Sequence, residues 1–150
     1  MSGTNEEILR RFYDEVMTQG RYDKLSDYVC EDFTEENPDL IAAGQEQGIE
    51  GLRRWMEGTV GIWSDVRWIF DDVVADGDKV AVRFTVEGTQ VGETMGIQPD
   101  PSRRLRGQAC NFFHFRDGKI QSSWYLLDQY AFLRQVGALP ASAEPMTYAK

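Results

Sequence analysis

Two Asp-Gly pairs, Asp76-Gly77 and Asp117-Gly118, constrain the fold more than any other feature of the sequence. Each pair lies between stretches in which apolar and polar residues alternate, the pattern of half-buried strands joined by a tight hairpin turn. The strands predicted around the two turns span residues 67–75, 79–88, 105–115 and 119–128. The second half of the chain is therefore predicted to form antiparallel hairpins, with residues 89–101 as an irregular connection.

The first part of the chain shows helical periodicity instead. Residues 4–19 predict a helix with Thr4 as its N-cap and Gly20 as its stop. Its apolar face is formed by Ile8, Leu9, Phe12, Tyr13 and Val16. Further helices are predicted over 22–29, 49–63 and 129–136, whereas the acidic stretch 30–48 predicts an irregular loop that can line a pocket mouth. Helices followed by antiparallel strands predict an α+β fold, in which a strongly bent sheet packs against helices around an apolar interior.

Length and composition limit the classes of protein to which this chain can belong. With 150 residues, 41% of them hydrophobic, the chain is expected to form one domain over residues 1–140, followed by a mobile tail over 141–150. No apolar run is long enough for a membrane span, and the polar start lacks the apolar segment of a signal peptide, so a cytoplasmic location is expected. The net charge of −9 disfavours nucleic-acid binding, because an acidic domain repels phosphate groups.

The sequence offers no pattern for a metal or a cofactor. Cys30 and Cys110 lie far apart without metal-ligand spacing, so both are expected to be buried free thiols. His114 is the only histidine, and no Ser-His-Asp set is recognisable around it. The glycines near 88–96 do not open a helix after a strand, so they form no dinucleotide-binding fingerprint. We therefore expect neither a metal nor a cofactor.

A single carboxylate, Asp128, stands among large apolar residues at the end of the last predicted strand. Its neighbours in sequence are Trp124, Tyr125, Leu126, Leu127, Tyr130 and Phe132. A charge in such surroundings is costly unless it is paired or used, and an acid with a pKa raised toward neutrality suits proton transfer. The alternative is that Asp128 caps the helix beginning near Gln129, since Asp is a favoured N-cap. The two roles compete for the same oxygens.

Several short motifs occur in a defined order between residues 5 and 139. They are Phe12-Tyr13, Gly48-Ile49-Glu50-Gly51-Leu52, Ala75-Asp76-Gly77-Asp78-Lys79-Val80-Ala81, Gly88-Thr89, Gly92, Asp117-Gly118-Lys119-Ile120, Trp124 with Asp128, and Leu133-Arg134-Gln135-Val136-Gly137. Together they resemble the SnoaL-like polyketide cyclase (ester cyclase) group of the nuclear transport factor 2-like superfamily. The resemblance implies a cone-shaped fold and an enzyme that closes a ring of a polyketide ester by intramolecular aldol condensation, without metal or cofactor. It also implies that Asp128 is the acid/base residue.

The chain departs from that family in two loops. Family members often carry a His in the loop after the second helix, where this chain has Asn37, which forms hydrogen bonds but accepts no proton at neutral pH. Asp100-Pro101-Ser102 stands where Thr-Gly is common in the family. Other activities of the fold therefore stay open: polyketide hydroxylation, epoxide hydrolysis and isomerisation. A non-catalytic protein that binds a small molecule or a partner stays open as well.

His114 is the second candidate catalytic residue, although a lone His on a strand is more often structural. If the hairpin is regular, His114 pairs near Ile120 and Asp128 pairs near Arg106. Arg106 would lower the pKa of Asp128 if the two groups paired directly, which would favour an ion pair over a base.

The expected substrate is a hydrophobic small molecule, preferably flat and aromatic. The residues predicted to bind it are Tyr13, Phe33, Asn37, Trp55, Arg106, Gln108, Phe112 and Trp124. In this hypothesis Asp128 removes a proton next to a carbonyl, and Asn37, Gln108 or His114 holds the enolate oxygen. The alternatives are that Tyr13 and the tryptophans belong to the core, and that Asn37 forms an Asx turn.

A homodimer or higher homo-oligomer is also expected. Strands such as those carrying Phe84 and Phe113 have large apolar residues on both faces, whereas a monomer needs one polar face.

Overall fold

The computed structural model describes residues 3–140, so the predicted mobile tail over 141–150 lies outside the described residues. Helix α1 spans Asn5–Phe12. It begins with a capping box, in which the Thr4 hydroxyl accepts from the Glu7 backbone N–H at 3.2 Å and the Glu7 carboxylate accepts from the Thr4 N–H at 2.8 Å. The chain continues as a π-helix over Tyr13–Thr18. The helix predicted over 4–19 is confirmed, and its last part has the wider π geometry.

The stretch between the first and third predicted helices is more ordered than its composition suggests. A 3-10 turn, Tyr22–Lys24, leads into helix α2, Leu25–Tyr28. The prediction of an irregular loop over 30–48 is wrong. This stretch holds most of strand β1, Val29–Glu35, and all of helix α3, Pro38–Ala42. Helix α4 then spans Gly48–Val60. The sequence of β1 shows no regular alternation of apolar and polar residues, because its pairing with β5 contains a register shift between Val29 and Thr34.

Four longer strands complete the sheet, followed by one helix. The strands are β2, Trp63–Asp76; β3, Lys79–Gln90; β4, Arg104–Arg116; and β5, Lys119–Leu127. Helix α5 spans Gln129–Gln135. The strand order is β1-β5-β4-β3-β2, with β1 parallel to β5 and every other pair antiparallel. The predicted α+β architecture with a mainly antiparallel sheet is confirmed.

One face of the sheet packs against α1, the π-helix and α4 and forms the core. Phe84, at the centre of β3, is fully buried. The same inner face carries Val80, Val82, Ala109 and Phe113. No helix among residues 3–140 has the length and the apolar character needed to cross a membrane.

The hairpin between β4 and β5 has a different register from the one predicted. His114 pairs with Ser122 rather than with Ile120. The Asp128 N–H donates to the carbonyl of Gln108 at 2.9 Å, so Asp128 lies opposite Gln108 and not Arg106. The reason is a two-residue turn through Asp117 and Gly118, both at positive φ, followed by a bulge in β5 after Ile120.

Candidate active site

A cavity of about 480 Å³ lies beside the inner face of the sheet and within the range of small-molecule sites. Residues from α3, α4, α5 and strands β2 to β5 line it. A deeper cavity of about 50 Å³ adjoins it between the sheet and the first helix. Four residues line both: Leu40, Trp55, Trp68 and Tyr125. The two cavities therefore form the wide and the deep part of one cleft.

Aromatic rings form most of the wall where the two parts meet. Tyr13 packs against Trp68 with ring centres 5.3 Å apart and against Phe84 at 4.9 Å. Tyr125 lies edge-on to Trp55 at 6.4 Å and to Trp68 at 6.5 Å. Walls of this kind suit a flat apolar ligand, because ring faces and edges offer a large contact area with few polar groups.

Two phenol hydroxyls introduce polarity into this aromatic wall. Burial raises the pKa of Tyr13 well above its ordinary value, Tyr125 adds to the increase, and a hydrogen bond with the Asn111 side chain opposes it. Burial also raises the pKa of Tyr125, with smaller contributions from Cys110 and Glu35. Both phenols are therefore neutral at physiological pH and available as hydrogen-bond donors.

The π-helix sets the position of Tyr13. It begins at Tyr13, and the Thr18 hydroxyl donates to the Tyr13 carbonyl at 2.8 Å across the wide turn. A π turn is rare and is frequent at functional sites, because the extra residue changes the direction of one side chain. The sequence pattern did not reveal it, since the apolar spacing also fits an ordinary helix.

A buried carboxyl group, Glu35, joins the loop after β1 to β5. One oxygen, Oε2, accepts from the Ser123 hydroxyl at 2.6 Å. The other, Oε1, accepts from the backbone N–H of Asn37 at 2.9 Å and from that of Tyr125 at 3.3 Å. Glu35 was not predicted as a site residue, because an isolated Glu in an acidic stretch gives no sequence signal.

Asn37 is held by the same group of contacts. Its Oδ1 caps helix α3 by accepting from the Asp39 N–H at 2.9 Å, and its Nδ2 donates to the Tyr125 carbonyl at 2.7 Å. This is the Asx-type alternative that the sequence left open. Asn37 followed by Pro38 is a helix-start signal and would have revealed α3. Both ends of the Asn37 amide are thus occupied while its side chain lines the wide cavity.

Asp128 lies at the rim of the cleft and is exposed. Its carboxylate accepts from the Ala131 N–H at 3.0 Å and so caps α5. Leu127 and Gln129, on either side of it, line the wide cavity, but Asp128 itself does not. Arg106 lines the cavity without pairing with Asp128; its Nε lies 3.9 Å from a carboxylate oxygen of Glu87.

The remaining predicted site residues lie on the outer face of the sheet, away from the cleft. Phe112 is 57% exposed and packs against Trp124 at 6.0 Å. His114 Nδ1 is 3.2 Å from the Ser122 hydroxyl, and Gln108 donates to Thr85 at 3.1 Å. The prediction that Phe112 and Trp124 line the pocket is corrected, because β4 and β5 carry aromatic residues on both faces and the alternation does not identify the inner one.

The structure thus separates the predicted residues into two sets. Those lining the cleft are Tyr13, Phe33, Asn37, Trp55 and Arg106. Those outside it are Gln108, Phe112, His114, Trp124 and, at the rim, Asp128. Within residues 3–140, no three His, Cys, Asp or Glu side chains come together as a metal-binding group.

Fold and cleft together define a cone-shaped α+β protein with an internal cavity of small-molecule size. The family model of the SnoaL-like polyketide cyclases matches residues 7–136. The chain therefore belongs to the SnoaL-like polyketide cyclase family. Among curated proteins, none matched the sequence.

Solved structures agree with this assignment. TsrD from Streptomyces laurentii is 27% identical, with a TM-score of 0.79, and the match covers 93% of this chain and 99% of TsrD. IdmH, a candidate polyketide cyclase from Streptomyces antibioticus, is 25% identical, with a TM-score of 0.78 and coverage of 90% and 99%. A SnoaL-like polyketide cyclase from Agrobacterium tumefaciens is 24% identical, with a TM-score of 0.76 and coverage of 91% and 100%. The predicted nuclear transport factor 2-like fold is thereby confirmed.

Proposed function

We propose that the protein is a cofactor-independent acid/base enzyme that closes a ring in a hydrophobic carbonyl compound, such as a polyketide ester. One observation carries this proposal: two neutral phenols, Tyr13 and Tyr125, stand in an aromatic cleft large enough for such a compound. Neutral donors fixed in a water-poor site stabilise a developing enolate oxygen, and this effect is commonly the largest in such catalysis. Family membership supports the same reading.

In the proposed reaction, Asp128 takes a proton from the carbon next to a carbonyl group. The enolate oxygen accepts hydrogen bonds from the phenols of Tyr13 and Tyr125. The carbanion then attacks a second carbonyl carbon of the same molecule, forming a carbon–carbon bond, and the resulting alkoxide takes the proton back from Asp128. Holding both ends of one molecule in the cleft favours this step over reaction between separate molecules.

Support for Asp128 comes from its place at the rim, between two cavity-lining residues, and from the family resemblance. Tyr13 and Tyr125 replace Asn37 as the proposed enolate donors, since both ends of the Asn37 amide already form hydrogen bonds. His114 and Gln108 remain predictions of the sequence alone, because both lie away from the cleft.

A ligand panel tests the proposed substrate class. Aromatic polyketide esters and flat aromatic ketones are expected to raise the melting temperature, because a ligand that binds only the folded state stabilises it. Nucleotides and sugar phosphates are expected to leave it unchanged, since none of the described residues that line the deep part of the cleft is basic and could pair with a phosphate. Differential scanning fluorimetry gives the ranking, and the opposite ranking would contradict the proposal.

A binding protein without catalysis is the second candidate. The observation that favours it is the capping contact of Asp128, which already occupies one carboxylate oxygen. The two candidates differ in turnover: an enzyme using Asp128 converts its substrate and loses this activity in the Asp128→Asn variant, whereas a binding protein shows no turnover.

We also propose that the outer face of the sheet pairs with a second copy of the chain. Phe112 and Leu126 are 57% and 48% exposed on this face, so two large apolar side chains are open to solvent there. Light scattering is expected to give about twice the monomer mass of 17.2 kDa. Phe112→Lys is expected to give the monomer, whereas Val60→Lys, at an equally exposed apolar site on α4, leaves the dimer intact. A wild-type mass of 17.2 kDa at micromolar concentration would rule out the pairing.

A further inference from the structure

Asn111 is a buried amide on the inner face of β4, at the deep end of the cleft. Its side chain is 5% exposed and lines the deep cavity. Its carbonyl oxygen, Oδ1, is fully buried and has no hydrogen-bond partner among residues 3–140. An unpaired buried acceptor is costly, so each such atom in a folded protein calls for an explanation.

The surroundings of this oxygen are specific. Asn111 pairs with Val82 on one side and with Tyr125 on the other, and both neighbours belong to the core or the cleft. Tyr13 lines the same deep cavity, and its pKa, raised by burial, is lowered in part by the neighbouring Asn111 side chain. An acceptor and a phenol therefore stand next to each other at the deep end, among aromatic rings.

From this geometry we infer that Asn111 determines specificity for a ligand that carries a hydroxyl group at the end that enters the deep part of the cleft. The hydroxyl hydrogen is donated to Asn111 Oδ1, while the phenol hydrogen of Tyr13 stays available to the enolate oxygen. An ether or a bare ring edge offers no hydrogen, so it leaves Oδ1 unpaired. The inference rests on the proposed function, since it assumes that flat carbonyl compounds enter the cleft, and it adds which chemical group they carry.

The preference for a ligand with the hydroxyl over one without it is expected to be strong. With the ligand that lacks the hydroxyl, Asn111 Oδ1 stays buried without a hydrogen bond. A site built to accept from a hydroxyl rejects an analogue that lacks it, since the acceptor is then buried without a partner. In a site without such an acceptor the order reverses, because a hydroxyl must be desolvated without compensation.

Two matched flat ketones test the inference by isothermal titration calorimetry. Acetylnaphthol, which carries a ring hydroxyl as well as the ketone, is compared with acetylnaphthalene, which lacks the hydroxyl. The wild-type protein is expected to bind acetylnaphthol about tenfold more tightly. In Asn111→Leu, which keeps the approximate shape and removes the acceptor, the affinity ratio is expected to fall to about one or to reverse.

Two further variants keep the test independent of folding. Asn111→Asp retains an acceptor oxygen in the same place and is expected to keep the preference for acetylnaphthol. Gln121→Leu removes another buried amide oxygen, Gln121 Oε1, which has no partner in the described part of the chain and lines neither cavity. This variant is expected to leave the tenfold ratio unchanged.

The outcomes separate the inference from the proposed function. Equal binding of the two ketones by the wild-type protein would overturn the role of Asn111, with Oδ1 then satisfied by buried water alone, and would leave the preference for flat ketones standing. A tenfold ratio that persists in Asn111→Leu would overturn it as well. Failure of both ketones to bind would overturn both proposals.

Discussion

Asp128→Asn is expected to lower turnover by at least about 100-fold while the free energy of unfolding changes by less than about 0.5 kcal/mol. The side-chain amide keeps the shape of the carboxylate, and its oxygen still accepts from the Ala131 N–H at the start of α5. Asn and Asp are nearly equal as N-caps, so the helix is retained. The amide accepts no proton at neutral pH, however, and the proposed first step is lost.

Comparison with two variants isolates the chemical role. Asp128→Ala removes base and cap together, so it is expected to lose the same activity and, in addition, about 1 kcal/mol of stability. Asp27→Asn makes the same chemical change at an exposed position on α2 outside the cleft, and is expected to retain full activity. Product formation is followed with a ligand identified by the thermal-shift panel, and stability by urea unfolding. If Asp128→Asn shows the turnover of the wild-type protein, Asp128 acts only as a helix cap and the proposed mechanism is wrong.

The hairpins and the first helix are predictable from sequence because their signals are local. An Asp-Gly turn between alternating strands and a Thr4–Glu7 capping box each depend on a few consecutive residues. Strand β1 and helix α3 are not predictable in this way, since β1 pairs in parallel with a strand about ninety residues later in the chain. Its acidic composition resembles that of a loop until tertiary contacts bury Phe33 and Glu35.

The candidate site is predictable only in part, for a different reason. Tyr13 and Trp55 follow from the apolar faces of their predicted helices, and they line the cleft. The strands β4 and β5 carry large residues on both faces, so alternation identifies two faces without saying which one is inside. The sequence therefore predicts Phe112 in the pocket, whereas Phe113 is the buried residue.

The residues that the sequence missed have roles set by contacts between distant segments. Glu35 is hydrogen-bonded to Ser123 and to the Tyr125 N–H, and Asn111 becomes conspicuous only because its oxygen is buried without a partner among residues 3–140. No local pattern distinguishes these residues from other Glu and Asn residues. Their importance follows from burial and hydrogen bonding, which exist only once the chain is folded.

Glu35→Ala is expected to destabilise the protein by about 3 kcal/mol, the largest stability loss expected for a cleft residue. The substitution leaves the Ser123 hydroxyl and the N–H groups of Asn37 and Tyr125 without their acceptor. Each of these groups is desolvated in the fold, so its lost hydrogen bond is not replaced by water. Urea unfolding measures the effect as a lower midpoint at an unchanged slope.

Glu35→Gln separates the hydrogen bonds from the space that the side chain fills. Its Oε1 still accepts from the two N–H groups, and the Ser123 hydroxyl can rotate to accept from the new amide, so the expected loss is about 1 kcal/mol. Glu31→Ala, on the exposed side of the same strand, is expected to cost less than about 0.5 kcal/mol.

The same variants are expected to affect ligand binding in the same order, because the Glu35 contacts hold the backbone of Tyr125, whose ring lines both parts of the cleft. The comparison is made with enough stabilising osmolyte to keep both variants fully folded. Under this condition Glu35→Ala should bind flat ketones more weakly than Glu35→Gln. If Glu35→Ala unfolds at the wild-type urea midpoint, the three hydrogen bonds contribute little, and Tyr125 is held in the cleft by ring packing alone.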